Sequence, residues 1–285
     1  MMWRRFTLPV LVLLLTAWSA QARAGQAQAQ ASSPDFSHTW LLHLPGIGGE
    51  RSIDHHMIDG LTDGGWDGPI TIYDWTEKDP GLDALLAYKR NQEEAAKVAK
   101  LIEKRLEKDP FLKITLTAHS GGTGIAVWAL ERLPDKVQIQ TLVLLASALS
   151  PGYDLSRALS HVHGKAFVFY SKNDQLVLGA GTRLFGTIDG VKSDSAGLVS
   201  FHMPPDADKA EYEKLDQKPY DRSWIAFSNI GNHVGCMSRP FACNVLAPLL
   251  IDNLSSVGPT TRPAEHDTQT AKTDGPVNAA AGAKQ

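Results

Sequence analysis

Short runs of apolar and β-branched residues recur along the middle of the chain, each bounded by glycine, proline or polar residues. Runs of this length and composition are typical of strands buried in a sheet. They predict strands at residues 39–44, 68–75, 137–146 and 165–170. Because helical segments alternate with these strands, we expect parallel pairing, with helices on both faces of one sheet. The predicted fold class is α/β with a mostly parallel central sheet.

The clearest amphipathic helix is predicted for residues 91–108. Asn91 can cap its start, and Glu94 stands near the positive end of the helix dipole. Charged residues surround a single apolar face. That face consists of Ala95, Val98, Ile102 and Leu106. We interpret the charged residues as a solvated surface without function.

The functional prediction depends on residues 112–133. A β-branched run before Ser120 predicts a buried strand, and the segment that Gly121 and Gly122 open predicts a helix packed on the sheet. Ser120 therefore lies at a tight turn between a strand and a helix. The five residues 118–122 read A-H-S-G-G, which is the nucleophile-elbow pattern G-x-S-x-G with alanine at its first position.

This pattern resembles the elbow of the α/β-hydrolase family, several lipase-like branches of which carry alanine at the first position. The resemblance implies an α/β-hydrolase fold with Ser120 as the nucleophile. It also implies an oxyanion hole formed by the amides of Gly121 and Ile47, where Ile47 follows Pro45 and Gly46 in the loop after the first strand. Only 18 residues separate the strands 137–146 and 165–170, so we expect no large cap domain there.

The resemblance further implies an acid after a late strand and a histidine near the end of the domain. Asp174 directly follows the strand 165–170 and is the predicted acid. Asp154, after the preceding strand, is the alternative acid, and Asp189 is a more distant one.

The predicted general base is His233, in a glycine-flanked loop after a strand-like segment at residues 224–227. His202 is the alternative base. We expect His119, next to the serine, to face elsewhere. The cluster of Asp54, His55, His56 and Asp59 lacks the spacing of metal ligands and is interpreted as a polar segment.

Cys236 and Cys243 closely follow the predicted base. In an exported protein two cysteines tend to pair, and a bridge across so short a loop would stabilise the fold by about 2 to 3 kcal/mol. The sequence therefore predicts a disulfide that holds the histidine loop against the final helix.

The chain of 285 residues is 43% hydrophobic and 21% charged, enough apolar residues to bury a substantial core. A basic start at Arg4 and Arg5, an apolar centre and a small-residue site ending at Ala24 predict an export signal that is cleaved there. The predicted organisation is a signal peptide at 1–24, a flexible linker at 25–37, an α/β-hydrolase domain at 38–254 and a disordered tail at 255–285.

Removal of the three arginines in the signal leaves 25 basic and 31 acidic residues, so the charge gives no reason to expect a nucleic-acid partner. We expect no stable membrane insertion after signal cleavage, and release into the periplasm or the medium.

The predicted function is an exported serine hydrolase that cleaves a carboxylic ester or related acyl bond, with a small-molecule or lipid substrate and neither metal nor organic cofactor. Acyl transfer through the same residues is one alternative, and a catalytically silent binding module is another. Residues 175–221 exceed a simple strand-to-helix connection and could form a wall or lid over the site.

Overall fold

The computed structural model describes residues 34–77, 80–174 and 186–256. These residues form one six-stranded sheet in the order β2-β1-β3-β4-β5-β6, and every neighbouring pair is parallel. The strands are β1 (Thr39–Leu44), β2 (Ile70–Ile72), β3 (Lys113–His119), β4 (Thr141–Leu145), β5 (Ala166–Tyr170) and β6 (Leu215–Pro219).

Helices cover both faces of the sheet, which confirms the predicted fold class. The α-helices are α1 (Ser52–Asp63), α2 (Leu82–Leu86), α3 (Tyr88–Lys108), α4 (Gly122–Glu131), α5 (Ser156–Ser160), α6 (Ala196–Val199), α7 (Lys209–Tyr212), α8 (Arg239–Phe241) and α9 (Ala247–Ser256). Two 3₁₀ helices (Arg222–Phe227 and Gly235–Met237) precede α8, and a π-helical turn (Ala242–Leu246) joins α8 to α9. None of the described connections forms a separate cap domain.

The apolar alternation along β1 explains how the sheet is buried on both sides. Trp40, Leu42 and Leu44 face one core, which α3 and α4 cover, whereas Leu41 faces a second core, which α1 and the C-terminal helices cover. Successive strand side chains point to opposite faces, so an apolar run fills both cores at once. Trp66 and Trp75, at the ends of the β2 segment, are buried in these cores.

A crevice lies between the carboxyl ends of the neighbouring strands β1 and β3. The chain leaves β1 towards the edge strand β2, and it leaves β3 in the opposite direction towards β4. Loops that diverge in this way at the carboxyl ends of parallel strands form a cleft, which is the usual ligand site of such sheets. The loop from Pro45 and the turn at Ser120 both lie at this cleft.

Several predicted boundaries differ from the structure. The strand predicted at 68–75 spans only Ile70–Ile72, and the one predicted at 137–146 begins at Thr141. The strand-like segment 224–227 is a 3₁₀ helix, and the last strand of the sheet is instead β6, at the edge opposite β2. The polar sequence of β6, LDQKP, lacks an apolar run because an edge strand is only partly buried.

Two parts of the prediction for residues 91–108 are wrong: Asn91 does not cap the helix, and Glu94 does not belong to a solvated surface. The helix begins at Tyr88, so Asn91 lies inside it, buried, with its side-chain amide donating to the Ala84 carbonyl. Glu94 is also buried and accepts a 2.7 Å hydrogen bond from the Tyr73 hydroxyl. Burial and the Glu94 carboxylate raise the pKa of Tyr73, so the phenol remains a donor.

The predicted signal peptide, most of the predicted linker and the predicted tail beyond residue 256 lie outside the described residues. Part of the predicted wall or lid, residues 175–185, does so as well. In the part of the chain that is described, no helix has the length and apolar character needed to span a bilayer.

Candidate active site

Ser120 lies at a strained turn between β3 and α4. Its backbone φ of 50° falls in the left-handed region, which a non-glycine residue adopts only when its surroundings enforce it. Here the Ser120 amide donates to the Leu145 carbonyl at 2.9 Å, and its carbonyl accepts from the Thr123 hydroxyl at 2.6 Å. These bonds hold the turn against β4 and α4. The serine therefore lies just beyond the carboxyl end of the central strand β3.

Paired glycines after Ser120 let the loop that follows β1 approach the elbow. A Cβ atom on Gly121 would lie 2.5 Å from the Ile47 side chain, and one on Gly122 would lie 2.4 Å from the Pro45 carbonyl oxygen. Both distances are shorter than a carbon atom tolerates. The absence of side chains at these two positions therefore allows Ile47 to pack directly against the turn that carries the serine.

His233 contacts the serine from a loop near the end of the fold. Its Nε2 lies 2.9 Å from the Ser120 Oγ. The loop is shaped by Asn229, whose buried side chain accepts from the Gly231 amide at 2.9 Å. Gly231 has a φ of 79°, which favours glycine, and it packs beside Ser171 in the turn after β5.

Asp174 completes the contact from the turn after β5. Its Oδ2 lies 2.6 Å from the Nδ1 of His233, and the residue is buried, at 4% exposure. A carboxylate can only accept, so the His233 Nδ1 carries the proton and the Nε2 lone pair faces the Ser120 hydroxyl. The structure thus brings the three predicted residues into one chain of hydrogen bonds, with the serine hydroxyl as donor to the imidazole.

The two residues whose amides are predicted to hold an oxyanion, Gly121 and Ile47, pack against each other. Within the described residues, neither the Gly121 nor the Ile47 amide donates to a backbone carbonyl. The Gly46 carbonyl accepts from the Gly49 amide at 3.0 Å. In a trans peptide the N–H points opposite to the C=O, so the Ile47 N–H is directed away from that turn. Trp75 also donates to the Pro45 carbonyl at 2.7 Å and fixes the start of the same loop.

The alternative acids and base take part in other local contacts. The exposed Asp154 accepts from the Ser156 amide and hydroxyl, at the start of α5. Asp189 accepts in the same way from the amide and hydroxyl of Ser150. His202 is exposed, and its amide donates to the Pro151 carbonyl. No described hydrogen bond joins any of the three to Ser120 or His233.

His119 does not face elsewhere, so that expectation is wrong. Its ring is buried, and its Nε2 lies 2.9 Å from the carbonyl oxygen of His233. The ring centres of the two histidines are 4.9 Å apart. Burial, followed by the nearby charge of His233, lowers the pKa of His119 to about 3. The only sign of this contact in the sequence is that His119 is next to the serine. The fold brings in its partner, which is 114 residues away.

The polar segment that contains Asp54 includes a second buried histidine–carboxylate pair. Asp54, in α1, lies 3.0 Å from the Nε2 of His43 in β1. The other ring nitrogen of His43 lies 2.9 Å from the Thr117 hydroxyl in β3. The sequence analysis missed His43 because it lies in the mostly apolar strand β1, whose sequence gives no sign of a buried polar pair. In the described ranges, no three potential ligands are close enough to hold a metal ion.

The predicted disulfide between Cys236 and Cys243 is wrong, since both residues are free thiols in the structure. Cys236 lies in the 3₁₀ turn Gly235–Met237 with its Sγ 3.9 Å from the His233 carbonyl. Cys243 lies in the π-helical turn, and its backbone packs against Gly64 after α1. The two cysteines therefore belong to different turns with different neighbours. Burial, with the Asp174 charge, raises the pKa of the Cys236 thiol to about 12.

Comparison with known proteins gives similarity at the level of structure. No family model matches the sequence, and no curated protein matches it. Lipase B of Aspergillus fumigatus is 13% identical over 81% of this chain, with a TM-score of 0.49. This chain covers only 55% of the length of that lipase.

The chain is also similar to the solved structures of a cutinase and a second lipase. A Trichoderma reesei cutinase, solved in complex with a phosphonate inhibitor, is 13% identical over 88% of this chain and 94% of its own, with a TM-score of 0.38. A lipase of Bacillus licheniformis in its mature form is 13% identical over 78% of this chain and 94% of its own, with a TM-score of 0.43.

Proposed function

Because the chain has an α/β-hydrolase fold in which Ser120, His233 and Asp174 are in contact, we propose that it is a serine hydrolase. Its substrate is a carboxylic ester or a related acyl compound. The observation that carries the proposal is the unbroken series of hydrogen bonds from hydroxyl to imidazole to carboxylate. A serine hydroxyl becomes an effective nucleophile when such an imidazole can remove its proton.

In the first half of the reaction, the Ser120 Oγ attacks the acyl carbonyl while the His233 Nε2 takes the hydroxyl proton. Asp174 keeps the ring in the productive tautomer and stabilises the imidazolium. The carbonyl oxygen becomes negative and accepts from the amides of Gly121 and Ile47. When this intermediate collapses, the bond between the acyl carbon and the alcohol oxygen breaks, and His233 gives its proton to the departing alcohol. An ester between Ser120 and the acyl group remains.

The second half uses the same groups with water as the nucleophile. His233 removes a proton from the water as its oxygen attacks the acyl-enzyme, and the two amides again hold the oxyanion. Release of the carboxylic acid returns the proton to the Ser120 Oγ. Apart from the acyl substrate and this water, both proposed halves use only side chains and amides of the chain.

A fluorophosphonate probe tests the proposed nucleophile. We expect the wild-type protein to be labelled and the Ser120→Ala variant to remain unlabelled, because the probe reacts only with an activated serine. Ser160→Ala is the matched control, since Ser160 lies at the end of α5 and, among the described residues, its hydroxyl donates to the Arg157 carbonyl alone. An unlabelled wild-type protein would favour the silent binding module.

A series of nitrophenyl esters and thioesters of increasing acyl length identifies the substrate class from relative kcat/KM values. The same assay with an added alcohol acceptor measures how the acyl-enzyme divides between water and the acceptor. Predominant release of free acid supports hydrolysis. Predominant formation of the new ester would replace hydrolysis with acyl transfer and leave the roles of Ser120 and His233 unchanged.

We also propose that the enzyme is exported and acts in the periplasm or the medium, as a domain at residues 38–254. The support is the N-terminal sequence, with Arg4 and Arg5, the apolar run 8–17 and the small residues that end at Ala24. N-terminal sequencing of the protein recovered from its native host tests this. A mature protein that begins near Gly25 is expected, whereas one that retains Met1 inside the cell would contradict it.

A further inference from the structure

His119 contacts the loop that carries the proposed base. Its Nε2 lies 2.9 Å from the His233 carbonyl oxygen, whereas the Cys236 Sγ, which faces the same oxygen, is 3.9 Å away. His119 itself is the last residue of β3, the strand that ends at the nucleophile. One side chain therefore connects the rigid strand beneath Ser120 to the main chain of the residue that must accept its proton.

The opposite edge of the His119 ring borders the loop after β1. A Cβ atom built on Gly46 would lie 3.3 Å from the Nδ1 of His119 and 3.3 Å from the Cβ of Ser120. The ring thus lies between Gly46 and His233, and it touches both loops that flank the serine. It cannot move without displacing one of them, because interiors of this kind are close-packed.

The direction of the hydrogen bond defines the state of the ring. A carbonyl can only accept, so the Nε2 of His119 carries a proton and donates it. The ionisable groups that act on this ring are His233, His43 and Asp54. Because burial strongly disfavours a charged ring, His119 stays neutral at working pH. It therefore adds no second positive charge beside His233 when that residue takes the serine proton.

The loop of His233 needs such an anchor because much of it is exposed. Ile230 and Val234, on either side of the base, are 56% and 41% exposed and contribute little burial. Segments with few buried contacts open readily. The ring of His233 is held by Asp174 at one nitrogen, and its main chain is held by His119.

We propose that His119 is a positioning residue that holds the His233 main chain at the distance from which its imidazole reaches Ser120. This inference rests on the proposed serine-hydrolase function. His119 does not touch the reacting atoms, and it acts through the carbonyl group of His233. Loss of its donor lets the base move, and a misplacement of about 1 Å can reduce turnover by about 10²-fold.

The test compares His119→Gln with His119→Met, which are similar in length but differ in the presence of a donor. We expect His119→Met to lower kcat for a short nitrophenyl ester by about 10- to 10²-fold, with little change in KM. His119→Gln should recover most of that loss. The same pair at His38, an exposed residue at the opposite end of β1 that bonds to Asp109, is the control and should leave kcat unchanged.

A spectroscopic measurement separates positioning from general destabilisation. The His233 Nδ1 proton, in its 2.6 Å contact with Asp174, should give a low-field proton resonance in the wild type and in His119→Gln. We expect it to weaken or shift in His119→Met at temperatures where both variants are folded. If His119→Met does not fold, His119→Phe replaces it in the same comparison.

Equal kcat values for the Gln and Met variants, with the same low-field resonance, would overturn the role of His119. That result differs from a failure of the proposed function. In the latter case wild-type protein would already lack both esterase activity and fluorophosphonate labelling, whatever residue stands at position 119.

Discussion

The elbow and the histidine loop supply the two groups that meet at 2.9 Å, but the two regions are built in different ways. Every residue from Ser120 to Leu130 is buried, and the strained turn is held by neighbouring backbone. In the histidine loop only Asn229 and Gly231 are buried among residues 229–234. That loop is held from outside, by Asp174 and His119.

This difference separates stability from activity. A change in the elbow disturbs close-packed backbone and should reduce both. A change in the residues that hold the histidine loop should reduce activity more than stability, because the loop itself contributes little burial. Variants in each region can therefore show whether this contrast is real.

The largest effect is expected from Asp174→Asn. The amide can donate to the Nδ1 of His233 and would then stabilise the wrong tautomer, so kcat should fall by about 10⁴-fold while the melting temperature changes little. Steady-state kinetics with a nitrophenyl ester and a thermal melt measure the two quantities. Asp154→Asn is the matched control, and a larger loss of kcat in that variant would transfer the role of acid to Asp154.

Gly121→Ala should reduce both activity and stability. The new Cβ would collide with Ile47 at 2.5 Å and displace the loop that carries a proposed oxyanion donor. We expect a loss of about 10²-fold in kcat and about 1 to 3 kcal/mol in the free energy of unfolding. Gly152→Ala, where nothing lies within 4 Å, is the control for both assays. Native kcat in Gly121→Ala would argue against this oxyanion loop.

The buried His119 should make stability depend on pH. Its pKa is about 3 when folded and near the ordinary 6.5 when unfolded, so the unfolded chain binds an extra proton between these values. The free energy of unfolding is therefore unaffected by this residue above pH 6.5. Between pH 6.5 and about 3 it declines as the pH falls, by up to about 1.4 kcal/mol per pH unit. Urea unfolding at several pH values in this range should show a smaller decline in His119→Gln. An identical decline in both proteins would contradict the assignment of a neutral ring.

The smallest effect concerns the cysteines beside the histidine loop. Because both are free and only Cys236 is buried, a thiol reagent should label Cys243 in the folded protein and both residues after unfolding without reductant. Mass spectrometry of the labelled peptides distinguishes them. Two thiols that react only after reduction would restore the disulfide and give the loop a covalent support that the structure lacks.

The contrast between the two regions also explains which parts of the site could be predicted. The elbow could be read directly, because strand, Ser120, paired glycines and helix are adjacent in the chain. The prediction of Asp174 and His233 depends on the chain order of acid and base in the α/β-hydrolase family, which the elbow resembles. The residues alone do not exclude Asp154 as the acid or His202 as the base. The role of His119 and the separation of the cysteines could not be found, because both depend on neighbours brought in by the fold.

Sequence by itself determined the parallel α/β sheet, since apolar runs that fill two cores and helices between strands leave few other arrangements. It also determined the turn at Ser120, where backbone strain and close approach require particular neighbouring residues. Only the tertiary structure decided which histidine and carboxylate meet the serine, which charges of α3 are buried and what holds the base. The contacts of Ser120, His233, Asp174 and His119 join residues more than fifty positions apart in the chain. The packing of whole elements brings such residues together, and local periodicity does not encode that packing.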